Sequence, residues 1–200
     1  MMILRSSPPS PFGRKVRIAL HHLGLAERVE IVATDTASET DTIRRQNPLG
    51  KIPTLITESG KALYDSPVIL EYLDHLAGGD QIIPVDPDSR FTALTLQALA
   101  DGILDASILR VYERRYRPED KVVETWLAYQ AGKVERAFTS LEVSPPSTSV
   151  DVGTITLACA LGYQDLRFAG TWRGIYPRLV GWLDAFAAVV PAFEQTRFTA

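Results

Sequence analysis

Every stretch of this chain with strand character falls before residue 79, and beyond residue 88 only helical periodicity remains. That asymmetry fixes the fold class. Alternating strands and helices need a sheet covered by helices, whereas a strandless run of amphipathic helices packs as a bundle. In the first part Met2-Ile3-Leu4 reads as a strand. A Ser/Pro loop then leads into a helix with Val16, Ile18, Ala19 and Leu20 on its apolar face, stopping near Gly24. Val29-Glu30-Ile31-Val32 reads as a second strand, and Ser38 to Gln46 as a short polar helix closed by Asn47-Pro48. Ile52-Pro53-Thr54-Leu55-Ile56 is a third strand, Ser59-Gly60 a hairpin turn and Ala62-Leu63-Tyr64 a fourth strand. Ser66-Pro67 opens a helix carrying Val68, Ile69, Tyr72, Leu73 and Leu76, which Gly78-Gly79 ends. The order βαβαββα spans a first domain, 1–79.

Gln81 to Asp88 is a polar linker containing Pro84 and Pro87, and a second, all-helical domain is expected over 88–200. Its helices are expected over Arg90 to Tyr116 and Glu119 to Val143. A third is capped by Asp151 and runs through Ile155, Leu157 and Leu161, and a last one starts at Tyr176-Pro177 and stops before Pro191. The net charge of −3 gives no bulk drive toward nucleic acid or an anionic membrane. A single cysteine, Cys159, excludes an intrachain disulfide, and its apolar mid-helix setting marks it as a core thiol. No apolar run reads as a membrane span, and the N-terminus starts on a strand pattern rather than a signal peptide. The expected address is the cytosol, where thiols are kept reduced.

The chemistry-bearing residues begin with Ser10. Serine is a strong N-cap and proline suits the first helical position, so Ser10-Pro11 places Ser10 beside the unpaired amides of Phe12 and Gly13. The helix dipole there favours an anion. Taken alone, these residues describe a helix cap and nothing more. His21, His22 and His75 lack metal-ligand spacing, and no glycine-rich nucleotide-binding pattern is present. Arg14, Lys15 and Arg17 put cations near the helix start, where they either attract an anion or form a solvated face.

Five stretches, in order, resemble the cytosolic glutathione transferase family: S-P-F-G-R-K-V-R at 10–17, N-P-L-G-K-I-P at 47–53, L-Y-D-S-P-V-I at 63–69, A-D-G-I-L-D-A at 100–106 and L-A-C-A-L-G-Y at 157–163. The resemblance covers essentially the whole chain and is greatest to the bacterial serine-type members, related to the theta and beta groups. It implies a thioredoxin-like first domain that binds glutathione as co-substrate, with no further cofactor. It implies a cis proline at Pro53, which turns the main chain of Ile52 outward to pair with the cysteinyl backbone of glutathione. Asp65 and Ser66 then hold the γ-glutamyl end, Lys51 reaches the glycyl carboxylate, and Phe12 lies in the glutathione-binding loop. Ser10 is the residue implied to stabilise the thiolate, with Ser7 second.

A free thiol titrates at about 8.5, and a hydrogen bond to a charged group is worth roughly 1.5–3 kcal/mol, or about one to two pKa units. With the helix dipole, that suffices to make the bound thiol largely thiolate near neutral pH without a general base. Ser10 and Gly13 occupy the positions of the thioredoxin cysteine pair, which excludes dithiol exchange there. The implied activity is conjugation of glutathione to a small hydrophobic electrophile, in a homodimer that binds neither nucleic acid nor membrane. The alternatives are a glutathione-dependent peroxidase or thiol transferase, and a non-catalytic relative that keeps the fold. The helix over 90–116 is implied to line the second site, with Tyr112 and Arg110 or Arg115 as candidates that periodicity does not orient. In the sixth helix Asp151 and Thr154 form a capping box with the family's usual partners exchanged.

Overall fold

The computed structural model describes residues 1–199 as two compact units, Met1–Phe91 with Val190–Thr199, and Thr92–Val189. The first is built from β1 (Met2–Ser6), α1 (Pro11–His22), β2 (Val29–Ala33), α2 (Ile43–Gln46), β3 (Thr54–Ile56), β4 (Ala62–Leu63) and α3 (Ser66–Leu76), the expected βαβαββα order. The strands lie in the order β2-β1-β3-β4, with β1 parallel to β2 and β3 antiparallel to both β1 and β4. α1 packs on α3, and Leu4, Val16, Ile18, Ala19, Leu55, Ile69, Leu70 and Leu73 form a core with no exposed surface.

Local chemistry moves several boundaries. β1 continues through Arg5 and Ser6 because the buried Arg5 guanidinium is fully engaged. It donates to Thr34 Oγ1 at 2.8 Å, Thr42 Oγ1 at 3.0 Å, Gln46 Oε1 at 2.7 Å and Asp41 Oδ1 at 2.6 Å. The helix expected from Ser38 forms only from Ile43, because Asp41 diverts the preceding chain into turns. Its oxygens accept from the amides of Asp35 at 3.0 Å and Ile43 at 2.8 Å. The Ile43 amide first, and then the Asp35 amide and Arg5, hold the Asp41 carboxyl below its usual pKa against the opposing effect of burial. β3 opens at Thr54 rather than Ile52, since Pro53 has no amide for the ladder. Asp65 stands at the N-cap position of α3 without a side-chain cap bond, which leaves Ser66 as its first helical residue. After α3 the buried Asp74 carboxylate accepts from the amides of Gln81, Ile82 and Ile83 at 3.0, 2.7 and 3.3 Å, fixing the chain that follows.

Two of the three cations near the start of α1 lie off the solvated face. Arg14 and Lys15 are buried. The Arg14 guanidinium lies 4.2 Å from the centre of the Phe193 ring and donates to Thr196 Oγ1 and the Phe193 carbonyl. These partners belong to the returning segment, whose short helix α8 (Ala192–Gln195), a feature absent from the expected pattern, packs against α1.

The helices beyond are α4 (Pro87–Tyr116), α5 (Glu124–Val143), α6 (Val152–Phe168) and α7 (Pro177–Val189). α4 starts inside the expected linker, because Asp86 Oδ2 accepts from the Ser89 amide at 2.9 Å and Pro87 takes the first turn. α5 starts at Glu124, after a single 3₁₀ turn at Glu119–Lys121. α6 begins with the reciprocal box: Thr154 N donates to Asp151 Oδ1 at 2.8 Å and Asp151 N to Thr154 Oγ1 at 2.9 Å. Against the expectation of no such run, α4 is long and apolar enough, by length and composition alone, to cross a membrane. Its buried residues, among them Ala93, Ala100, Leu104 and Ser107, form one stripe. α6 closes on that stripe, and a Cβ at Gly153 would lie 2.6 Å from the Ala93 carbonyl oxygen and 2.8 Å from Leu96 Cβ. Farther along, Gln164 Nε2 donates to the Ser107 hydroxyl.

Candidate functional site

The ladder registers bring three separate segments to one end of the sheet. β1 leaves the sheet at Ser6, and its Arg5 pairs with Thr54, the first residue of β3. β4 leaves at Leu63, paired with Leu55. The loop to Ser10, the dipeptide Ile52-Pro53 and the turn through Asp65-Ser66 therefore emerge together, beside the N-terminal ends of α1 and α3. The topology thus gathers the implied glutathione contacts, which are scattered over residues 10 to 66.

Ser10 is the N-cap of α1, extended at φ −73° and ψ 118°, and its Oγ accepts from the Gly13 amide at 3.1 Å. The Ser7-Pro8-Pro9-Ser10 turn below it is closed by the Ser10 amide on the Ser7 carbonyl at 3.1 Å. Capping uses the Ser10 oxygen as an acceptor and leaves its hydrogen free to be donated. Cap and anion donor are thus compatible roles for one hydroxyl. Behind the loop Ser6 Oγ is buried without a hydrogen-bond partner, and a Cβ at Gly13 would lie 2.1 Å from it. Only glycine lets α1 start this close to β1. Phe12 is partly buried, with Lys15 Nζ 5.6 Å from its ring centre.

The Ile52–Pro53 peptide bond is cis, and so is Tyr64–Asp65. Ile52 precedes β3 and takes no part in the ladder. A residue that sequence reading treated only as a helix terminator, Asn47, builds this loop. Its Nδ2 donates to the Lys51 carbonyl at 3.0 Å and to Thr54 Oγ1 at 3.2 Å. Its Oδ1 accepts from the Leu49 amide at 3.0 Å, and its own carbonyl accepts from the Gly50 amide at 2.8 Å. The signal available in sequence was an asparagine before Pro-X-Gly, a turn former with both donor and acceptor. The Lys51 side chain is exposed at the same edge.

At the start of α3 Asp65 is exposed and makes no side-chain cap bond, whereas Ser66 is buried at 2 % exposure. Asp65 thus keeps its carboxylate uncommitted, and the Ser66 amide and hydroxyl stand at a helix start, where anions are favoured. Among the described residues no group of three His, Cys, Asp or Glu is placed to hold a metal ion.

Residues 9–76 match the family model for the glutathione S-transferase N-terminal domain. The chain is 35% identical over 185 residues to an uncharacterized GST-like protein, YibF, of Escherichia coli K12, covering 90% of each. Among solved structures, a glutathione transferase family member from Pseudomonas fluorescens with bound glutathione superposes with a TM-score of 0.93 at 40% identity over the whole of both chains. A glutathione S-transferase from Methylobacillus flagellatus with glutathione bound gives 0.90 at 34% identity, again over the whole of both chains.

Proposed function

Because the chain belongs to the glutathione transferase family, we propose that the end of the sheet where α1 and α3 begin binds glutathione and that Ser10 holds its thiolate. The Ser10 hydroxyl, already oriented by the Gly13 amide, donates its hydrogen to the sulfur. The main chain of Ile52 pairs with the cysteinyl backbone, and Ser66 and Asp65 take the carboxylate and ammonium of the γ-glutamyl end. Lys51 reaches the glycyl carboxylate, and Phe12 flanks the sulfur. The thiolate then attacks an electrophilic carbon of a small hydrophobic compound. A carbon–sulfur bond forms, and the leaving group departs with the electron pair of the broken bond. Glutathione is the co-substrate, no other cofactor is needed, and the working assembly is a homodimer in the cytosol.

The observation that carries this reading is the convergence of Ser10, Ile52-Pro53 and Asp65-Ser66 at one sheet end, each with a polar group left uncommitted. The test is a titration of glutathione bound to the wild type and to Ser10→Ala, reading thiolate absorbance against pH. The substitution is expected to raise the bound thiol pKa by about one to two units. Loss of the cap is expected to lower stability by about 1 kcal/mol. Equal thiol pKa values in the two proteins would transfer the role to Ser7. Failure of the wild type to bind glutathione would end the transferase reading.

A further inference from the structure

The last turns of α4 and α6 and the first turns of α5 line an open cavity of about 640 Å³ on the second unit. Leu127 and Phe168 give it apolar walls, while three guanidinium groups, Arg110, Arg114 and Arg167, line it with a single carboxylate, Glu124. Those charges do not cancel. Arg114 already holds Glu124 at 2.7 Å and Glu119 at 3.0 Å. The buried Glu113 nearby is taken by Arg117 Nε at 2.8 Å and by the Val123 amide at 3.2 Å. On α6 Asp165 is bound by Arg173 and by the Trp172 indole.

That leaves Arg110 and Arg167 without an acidic partner among the described residues. The Arg110 guanidinium lies over the Phe168 ring, 4.1 Å from its centre. Burial pulls its pKa below the usual arginine value, the direction expected of a cation short of counter-charge. Even so, a guanidinium stays protonated, and one stacked on an aromatic face keeps its N–H edge for a planar acceptor. Arg167 lies 5.8 Å from the Tyr163 ring centre, and its buried Nε has no hydrogen-bond partner. Two partly buried cations with no acidic partner, beside apolar walls, suit an anionic ligand that carries an apolar body.

We propose that this cavity binds a small organic carboxylate with an apolar body, its carboxylate held by Arg110 and Arg167 and its body against Leu127 and Phe168. Inorganic anions match the charge but leave the apolar wall unused, and neutral aromatics match only the wall. The inference stands on α4, α5 and α6 and does not depend on the glutathione reading.

Calorimetric titration of the intact protein with benzoate, and with benzamide as its neutral counterpart, tests it. Benzoate is expected to bind at least about tenfold more tightly than benzamide, the worth of one charge-assisted hydrogen bond. Arg110→Gln and Arg167→Gln are each expected to weaken benzoate by about the same factor and to leave benzamide unchanged. Equal affinities for the two compounds, no benzoate binding by the wild type, or undiminished binding by the double variant would overturn the proposal. Should the variants fail to fold, the wild type alone decides. Benzoate is expected to slow phenylglyoxal modification at Arg110 and Arg167 but not at the exposed Arg136, as mapped by mass spectrometry. Equal labelling with and without benzoate would refute the site. A glutathione titration on the same samples reports separately on the first unit.

Discussion

At the entrance to α1 two small residues set the geometry that Ser10 needs. Gly13 lies so close to Ser6 that a methyl group there meets the Ser6 hydroxyl at 2.1 Å. Gly13→Ala is therefore expected to cost about 1–3 kcal/mol, as overpacking usually does, although alanine is the better helix former by roughly 0.5–1 kcal/mol. Ser6 Oγ has no hydrogen-bond partner to lose. In the Ser6→Ala background the same Gly13→Ala change is expected to be neutral or stabilising. A double-mutant cycle read by urea unfolding measures the coupling. If Ser6→Ala does not relieve the defect, the clash lies with the backbone and not with the hydroxyl. The Gly13 amide is also the one that orients the Ser10 hydroxyl, so the thiol pKa of bound glutathione should rise in Gly13→Ala and return in the double variant.

Between elements, the Arg5 cluster ties β1 to the turns before α2 through Asp41, whose folded pKa lies below its reference value of 3.8. A carboxyl with a depressed folded pKa contributes stability above its unfolded pKa and loses it as the pH falls through the folded value. Asp41→Asn is thus expected to unfold at lower urea than the wild type at neutral pH. The difference should shrink below about pH 3.8 and close near the folded pKa. A gap that persists unchanged at about pH 2 would mean that Asp41 acts by hydrogen bonding alone. This network also explains where sequence reading stopped short. The starts of α1 and α6 were legible, because Ser10-Pro11 and the Asp151/Thr154 pair carry their own caps. Arg5 and Ser6 looked like loop, since an arginine enters a buried strand only when four distant side chains meet it. Ser38 to Thr42 looked helical, since nothing local shows that Asp41 will bind amides on both sides of itself. At the candidate site, Ser10, Ile52-Pro53 and Asp65-Ser66 were singled out through family resemblance. Asn47 was missed because its role is to hold main chain, and such a role has no chemical signature of its own.

For the molecule as a whole, the two units differ in how their sequence is drawn. The second is continuous, while the first takes Val190–Thr199 back after the chain has left it at Phe91. Phe193 is 2 % exposed, and its ring lies against the Arg14 guanidinium on α1. Phe193→Ala is expected to cost about 3–5 kcal/mol, the usual price of deleting a buried aromatic side chain. Because α1 carries Ser10 at its start, glutathione affinity should fall with it. Unfolding and glutathione titration on one sample would show whether the two losses travel together. If affinity holds while stability drops, α1 keeps its position without the returning segment. Periodicity gave no warning of this closure, since α8 is four residues long and lies just past a proline.

The discontinuity also has a consequence for how the protein is made. A ribosome releases β1 through α3 first, with Arg14 on α1 still lacking Phe193 and Thr196, and must then translate the whole of Thr92–Val189 before they appear. At about 5–20 residues per second the first unit waits roughly five to twenty seconds for its last helix. Throughout that interval Arg14 lacks the Phe193 ring and the Thr196 hydroxyl that cover it in the finished fold. A chaperone that recognises α1 during synthesis, and loses its grip when α8 arrives, would find its binding site scheduled by the order of the sequence itself.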